Sequence, residues 1–430
     1  MQFCCSHSSR QYSVFHSDVW SNRKLAICAN SICPVYLRMC SDLCYKGEAE
    51  ASSRGLREVY LVERNYMKFA IITPNGQYNY GNRLQNYAIT QIVSRAGGHA
   101  ETLYLEENYL KLLVKAGLLQ TNLWPLVLGT YQKERRVDLE CSRYRKFKAF
   151  TKQYIPTRYF GGRNLKRLAD EYDYFLIGSD QIWNPNQLAR SCDFADFARP
   201  EQKIAVAPSF GVDQLTVEQE NRLAPMLKTF RNLSVRENSG AAIIKKLTGL
   251  NAKVLIDPTM MLTHEDWSAV SQKPDWMETA VPYILSYFLG GKDEKSQKQI
   301  DRYGEEIGAI EYPLLNKEKS ELYSTGPAEF LWLLEHAALV CTDSFHAVVF
   351  SILFNRPFVT FKRGGDGAGM EDRISTLLCT MKLQDQQLRG TNQFRTVLTH
   401  DYSECYKVLD QERKKFKDYL QSAVPSMDWR

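Results

Sequence analysis

Ala337-Ala338-Leu339-Val340-Cys341-Thr342-Asp343-Ser344-Phe345-His346-Ala347-Val348-Val349-Phe350-Ser351-Ile352-Leu353-Phe354 is the stretch whose reading decides the fold. Its first five residues form an apolar run that reads as a buried strand. Its last seven read as a helix that stops before Pro357. The polar turn between them puts Ser344 and His346 where a helix begins, with backbone N–H groups lacking partners and a positive dipole end. Such a turn is an anion site with an imidazole in it. It is equally what a helix cap on Asp343 or Ser344 and a packed histidine would look like.

The same strand–turn–helix unit recurs on both sides of it. Met67 to Thr73 reads as an opening strand, followed by the polar loop Pro74 to Asn82 and a helix over 83–94 that Gly97 and Gly98 close. Strands are expected at 102–105 and 174–177, over 203–211 together with its turn, and at 233–237 and 254–259. A second series covers 283–288, 310–314, 337–341 and 358–361, with helices over 293–307 and 327–336 between them. Alternation of this kind predicts an α/β protein with parallel sheets. Its organisation reads as two doubly wound Rossmann-like domains facing across a cleft. The first spans 67–265, with a helical insertion over 106–170. The second spans 280–395, and 396–430 form a helical tail. Ligands of such sheets bind at the carboxyl ends of the strands.

Residues 1–66 do not share this pattern. They read as a non-native or disordered extension, with the functional protein beginning at Met67. Six of the eleven cysteines, Cys4, Cys5, Cys28, Cys33, Cys40 and Cys44, crowd this segment. Their spacing fits neither a zinc ribbon nor a ferredoxin run, so no metal is expected. The remaining five are scattered like the free thiols of a reducing compartment, which points to the cytoplasm.

Hydrophobic residues make up 44% of the chain and charged residues 24%, ordinary for a globular protein. A net charge of +6 over 430 residues excludes nucleic-acid binding as the expected role. No run approaches 18 apolar residues, so no transmembrane helix is expected. Residues 1–30 lack the apolar core of a secretory signal. Neither glycine-bearing turn is a GxGxxG fingerprint, so no dinucleotide cofactor is indicated.

Six turns in order resemble the polysaccharide pyruvyl transferase family: Asn79-Tyr80-Gly81-Asn82-Arg83-Leu84-Gln85-Asn86-Tyr87-Ala88, Ile177-Gly178-Ser179-Asp180-Gln181-Ile182-Trp183-Asn184, Ala207-Pro208-Ser209-Phe210-Gly211, Ser234-Val235-Arg236-Glu237, Asp257-Pro258-Thr259 and Thr342 to Ala347. The resemblance implies a GT-B type fold. It also implies transfer of a pyruvyl group from phosphoenolpyruvate to hydroxyls of a sugar, usually as a cyclic ketal, with no cofactor beyond that donor. The chemistry needs an acid of near-neutral pKa, and the resemblance implies that His346 is functional. Asp180 is the candidate base, or a helix cap. Arg236, Ser344 and Phe345 are assigned to the donor side.

Many family members carry an arginine where this chain has Ser344. Lys362, Arg363 or Arg373 would supply that cation. The glycine-rich 364–369 either closes over a phosphate or is a surface loop. Asn79, Tyr80, Gln181 and Trp183 offer hydrogen bonds and an aromatic face to the acceptor sugar. Gly81 and Gly178 are expected to serve backbone geometry. A lipid-linked oligosaccharide acceptor would bring the enzyme to a membrane face as a peripheral protein. The alternatives are a nucleotide-sugar glycosyltransferase on the same scaffold, a non-catalytic polysaccharide-binding relative, and a redox protein with a cluster on the N-terminal cysteines.

Overall fold

The computed structural model describes residues 66–76, 78–106, 134–161, 165–186, 189–278, 281–363, 368–387 and 397–429. The N-terminal cysteines, residues 107–133 of the expected insertion and residues 364–367 of the glycine-rich loop lie outside them. The described chain is α/β, as expected, and its strands form parallel sheets. In the first sheet, β1 (Lys68–Ile72), β2 (His99–Glu106), β3 (Thr157–Gly161), β4 (Tyr174–Ile177) and β5 (Lys203–Ala205) run in the order β3-β2-β1-β4-β5. A parallel bridge from Ile204 to Asn232 continues it toward the pair β6 (Ser234–Val235) and β7 (Lys253–Val254). The second sheet has the order β11-β10-β8-β9, from β8 (Tyr283–Tyr287), β9 (Ile310–Pro313), β10 (Leu339–Thr342) and β11 (Phe358–Thr360).

The longer helices are α1 (Tyr80–Arg95), α2 (Glu134–Tyr154), α3 (Val217–Leu227), α4 (Asn238–Thr248), α5 (Glu294–Ile307), α6 (Pro327–Glu335), α7 (Phe345–Leu353), α8 (Ala368–Thr380) and α9 (Ser403–Ala423). None of the described helices is long and apolar enough to cross a membrane. Two differences from the sequence reading have clear causes. Helix α1 starts three residues early because the Asn79 side chain accepts from Asn82 N at 3.1 Å and caps it there. Residues 157–161, expected to be helical, instead pair in parallel with β2 as an edge strand. Thr157-Arg158-Tyr159-Phe160 has the β-branched and aromatic content of a strand, and Pro156 precedes it after the last turn of α2.

Period-two alternation explains where the cores lie. In β1, Phe69 and Ile71 face one apolar cluster, while Ala70 and Ile72 face another. In β8, Tyr283, Leu285 and Tyr287 enter the same cluster as Phe69, and Ile284 points to a third. One face of each sheet therefore shares a continuous core, filled by α1, α6, α7 and α9. Helix α9 is tied into it by Tyr419, whose hydroxyl donates to Ala205 O at 2.7 Å. Arg413 holds Met260 O and Leu262 O at 2.8 and 2.9 Å, and the Tyr406 hydroxyl reaches Ile352 O at 3.0 Å.

Strand order reverses between β1 and β4 in the first sheet, and between β8 and β10 in the second. Both crevices open at strand carboxyl ends, the place where doubly wound sheets receive ligands. The loops leaving these four strands are what build the site.

Candidate functional site

Four strand ends and two helix starts meet in one small cleft that is open to solvent. Asn79, Tyr80 and Gly81 enter from the start of α1, and Asp180 with Gln181 from the turn after β4. Tyr287 and Leu289 come from the end of β8, Ser344, Phe345 and His346 from the start of α7, and Arg373 from α8. Two N-terminal helix ends thus face one space, and their free N–H groups make it favourable to an anion.

The motif around Gly81 is explained by this meeting. A Cβ on Gly81 would lie 2.1 Å from His346 Nδ1, so the imidazole is packed against the bare Cα of α1. Gly81 carries no positive φ, and its missing Cβ permits that close approach, a use of backbone geometry rather than of chemistry. Gly178, at φ +121°, also serves backbone geometry, and a Cβ there would lie 2.4 Å from Val206 O. Asp180 follows at φ +54°, in the left-handed region that Asp tolerates better than most residues. Gln85 fixes the turn by accepting from Ser179 N at 2.9 Å while donating to the Thr73 hydroxyl at 2.6 Å.

Behind the cleft lies a buried charge network. Arg236 at the end of β6 donates to Asp257 Oδ2 at 2.5 Å and to Asp180 Oδ1 at 3.1 Å. Its guanidinium lies 4.3 Å over the Phe345 ring. Asp180 also accepts from Asn82 Nδ2 at 2.5 Å and stands 3.6 Å from Arg373 Nη1. Asp257 accepts from Thr259 N at 3.0 Å and from its hydroxyl at 2.7 Å. The same carboxylate faces His346 Nε2 at 3.7 Å, an ion-pair distance.

Burial alone would raise the pKa of both aspartates, but the neighbouring cations win. His346 and Arg236 hold Asp257 well below the usual carboxylate range, and Arg236, His346 and Arg373 hold Asp180 down. Glu237 goes the other way, raised by burial despite Arg236 and Arg373 beside it. Burial and the adjacent Arg236 push Arg373 down to about 10. Both aspartates therefore carry charge, which suits Asp257 to orienting an imidazole.

The structure brings His346, Asp180, Ser344, Phe345, Arg373, Asn79, Tyr80 and Gln181 to the cleft wall. Ser344 caps α7, with its hydroxyl accepting from Ala347 N at 3.5 Å. Tyr80 shows the cleft little of its phenol, because the hydroxyl donates to Thr325 O at 2.8 Å and the ring stacks on Phe330 at 4.2 Å. Four candidates are not on the wall. Trp183 is fully buried, stacked on Phe194 at 5.3 Å beside Phe210 and Phe230, so it packs the core and offers no face to a sugar. Arg236 sits behind Phe345, its side chain 2% exposed. Arg363 is held by the Asp343 carboxylate at 3.2 Å and its carbonyl at 3.0 Å, and Lys362 is exposed outside the cleft.

Sequence reasoning offered Asp343 only as a helix cap and Asp257 only as part of a turn, with no role in the site. Asp343 accepts from Leu289 N at 2.7 Å and Gly290 N at 2.8 Å, tying the turn after β10 to the turn after β8. The signal was available: both aspartates lie in polar turns following apolar runs.

No curated protein sequence is significantly similar to this chain. Among solved structures, UDP-GlcNAc 2-epimerase from Neisseria meningitidis superposes with a TM-score of 0.42 at 8% identity, over 83% of this chain and 100% of that one. A putative UDP-N-acetylglucosamine 2-epimerase from Listeria monocytogenes gives 0.42 at 9% identity, over 84% and 98%. Likenesses so remote carry no weight for fold or ligand. The family model of the polysaccharide pyruvyl transferases matches residues 79–364, a span that opens at the cap of α1 and closes just past Arg363. With the turns that build the cleft all inside that span, the chain belongs to the polysaccharide pyruvyl transferase family.

Proposed function

We propose that this transferase moves a pyruvyl group from phosphoenolpyruvate to hydroxyls of a sugar, closing a ketal, in the assembly of a bacterial surface polysaccharide. The observation that carries the reading is His346. It is 7% exposed, its Nε2 makes no hydrogen bond among the described residues, and it stands where two helix N-termini meet. A buried imidazole in an anion-favouring cleft suits proton delivery to a phosphorylated enol.

His346 gives a proton to the methylene carbon of the donor, turning it into a methyl group. The neighbouring carbon takes oxocarbenium character and is attacked by one sugar hydroxyl. The C–O bond to phosphate breaks and the second hydroxyl closes the ketal. Of the two hydroxyl protons released, one replaces the proton given by His346 and the other leaves with phosphate. Asp180, kept ionised by its cationic neighbours, is the base toward the attacking hydroxyl. Asn79 and Gln181 offer amides to the acceptor on the α1 side. The donor carries its own leaving group, so no cofactor is required. The reading places the enzyme in the cytoplasm, with a sugar or lipid-linked oligosaccharide as acceptor. The lipid-linked form would draw it to the membrane face.

The test is phosphate release from phosphoenolpyruvate against a panel of sugars and their lipid-linked forms. His346→Ala and His346→Gln should lower turnover by ~10²–10⁴-fold, with donor binding less affected. Turnover within a few-fold of wild type would remove His346 from the reaction. Calorimetric binding of a nucleoside diphosphate in place of phosphoenolpyruvate would point to glycosyl transfer instead.

A further inference from the structure

We infer that Arg143, on α2, is a positioning residue for the acceptor sugar: it holds the loop that presents Asn79 to the cleft. The inference rests on the transfer reading above and deepens its acceptor side.

The loop before α1 is fastened on either side of Asn79. Upstream, Asn75 Oδ1 accepts from Arg83 Nη1 at 3.2 Å and from Asn86 Nδ2 at 2.9 Å, and Gly76 N donates to Asn82 Oδ1 at 3.1 Å. Downstream, the Tyr80 hydroxyl is bound to Thr325 O and its ring stacked on Phe330. Asn79 lies between these anchors, exposed at the cleft wall. Its side-chain oxygen accepts from Asn82 N, so Nδ2 is the group with which it can meet a sugar hydroxyl. Arg143 Nη2 donates to Tyr78 O at 3.0 Å. That carbonyl shares a planar peptide unit with the N–H of Asn79, so the bond fixes the plane from which Asn79 leaves the loop.

Arg143 is itself locked in place. Its buried guanidinium lies 5.3 Å from the Tyr78 ring centroid, 5.4 Å from that of Tyr80, 5.6 Å from that of Phe147 and 5.3 Å from that of Tyr323. A planar guanidinium can stack among several rings where an ammonium cannot. Helix α2 is in turn tied to the segment between β9 and β10. The Tyr323 hydroxyl donates to the Glu140 carboxylate, one turn before Arg143, and Lys146 pairs with Glu329 of α6 at 2.6 Å. Gly326 permits that approach, since a Cβ there would lie 2.7 Å from Lys146 Cβ. The acceptor loop, which leaves a strand of the first sheet, is therefore positioned from helices that belong to the second. Lys146 supplies the contrast within one helix: it reaches Glu329 rather than the loop.

The experiment is steady-state phosphate release by the full chain, with phosphoenolpyruvate varied at saturating acceptor and acceptor varied at saturating phosphoenolpyruvate. The acceptors are the methyl β-D-glycosides of glucose, galactose and mannose and the polyprenyl diphosphate forms of the same sugars. Arg143→Met, Arg143→Lys and Lys146→Gln are compared with wild type, each with thermal melting and amide exchange. Arg143→Met should raise the acceptor KM by about 10-fold or more, while the KM for phosphoenolpyruvate stays within about two-fold. Arg143→Lys should recover part of that loss. Protection at the Asn82 and Arg83 amides, which donate to Asn79, should fall in Arg143→Met. Lys146→Gln should lower the melting temperature and leave both KM values unchanged. If Arg143→Met does not fold, Arg143→Lys decides by the same split. An unchanged acceptor KM overturns the inference and leaves Arg143 a stabilising residue; KM values that rise in parallel overturn it too. Unchanged exchange at Asn82 and Arg83 overturns it without reference to any acceptor, and leaves the transfer reading intact. A wild type that releases phosphate with none of these acceptors sinks the transfer reading and the inference with it.

Discussion

A single hydrogen atom at position 81 decides where His346 can stand. Alanine at this early helical position is favoured over glycine by up to about 1 kcal/mol on helix propensity alone. Its methyl group would nevertheless land 2.1 Å from the imidazole Nδ1 and drive the ring out of place. Gly81→Ala should therefore keep its secondary structure yet lose turnover by about 10²-fold or more, the scale of removing the acid. Steady-state kinetics beside circular dichroism checks this, and a Gly81→Ala enzyme of normal kcat would show that the contact with His346 is dispensable. The other residue-scale lesson is Trp183. An aromatic three residues from Asp180 looked like a sugar platform, but the turn directs it into the core against Phe194. Residue type gave its capacity, and side-chain direction gave its use.

At the scale of elements, the two switch points are held in register by backbone turns, with Asp343 as the clamp of the second. Its two carboxylate oxygens accept separately from Leu289 N and Gly290 N, and one also takes Arg363 Nε. Asp343→Ala should cost about 1–3 kcal/mol for each buried donor left without an acceptor. Asp343→Asn keeps one acceptor oxygen and should cost about half as much. The specific readout is amide exchange: protection at Leu289 and Gly290 should fall in Asp343→Ala more than elsewhere in the second sheet. Unchanged exchange at these two amides would mean that the turn holds its shape without the carboxylate. Strand β3 belongs to this scale as well. Its five residues lay between basic helical sequence and a short helix, and their local pattern was outweighed by the surroundings. Only the open edge of β2 gave them a partner.

At the scale of the whole molecule, the network of Asp180, Arg236, Asp257, His346 and Arg373 gathers residues from both sheets into one buried cluster of charge. Asp257 is a carboxylate whose pKa is depressed on folding, so its stabilisation is complete above its unfolded pKa of about 3.9 and is lost as pH falls toward its folded value. The wild-type chain should accordingly lose stability below about pH 4, with Asp180 contributing in the same direction. Asp257→Asn should be less stable at pH 7 by up to about 3–5 kcal/mol, since Arg236 keeps only Asp180 as its ion-pair partner. It should also lose less stability than wild type between pH 5 and about pH 3. Denaturant midpoints across that range test both statements. Parallel curves for the two proteins would mean that Asp257 does not set the acid limb.

The sequence by itself determined the α/β class, the strand and helix alternation, the turns that carry chemistry and the family they belong to. Those properties follow from local periodicity and from motifs a few residues long, which survive without knowledge of neighbours. It also picked out His346, Asp180 and three possible cations. Tertiary structure alone decided which of them share a space. That Gly81 and His346 touch across 265 positions of chain, that Arg236 lies behind Phe345 while Arg373 lines the cleft, and that Trp183 faces inward all depend on how two sheets meet. Burial, ion pairing and steric approach are properties of surroundings, and surroundings are assembled only when remote segments pack.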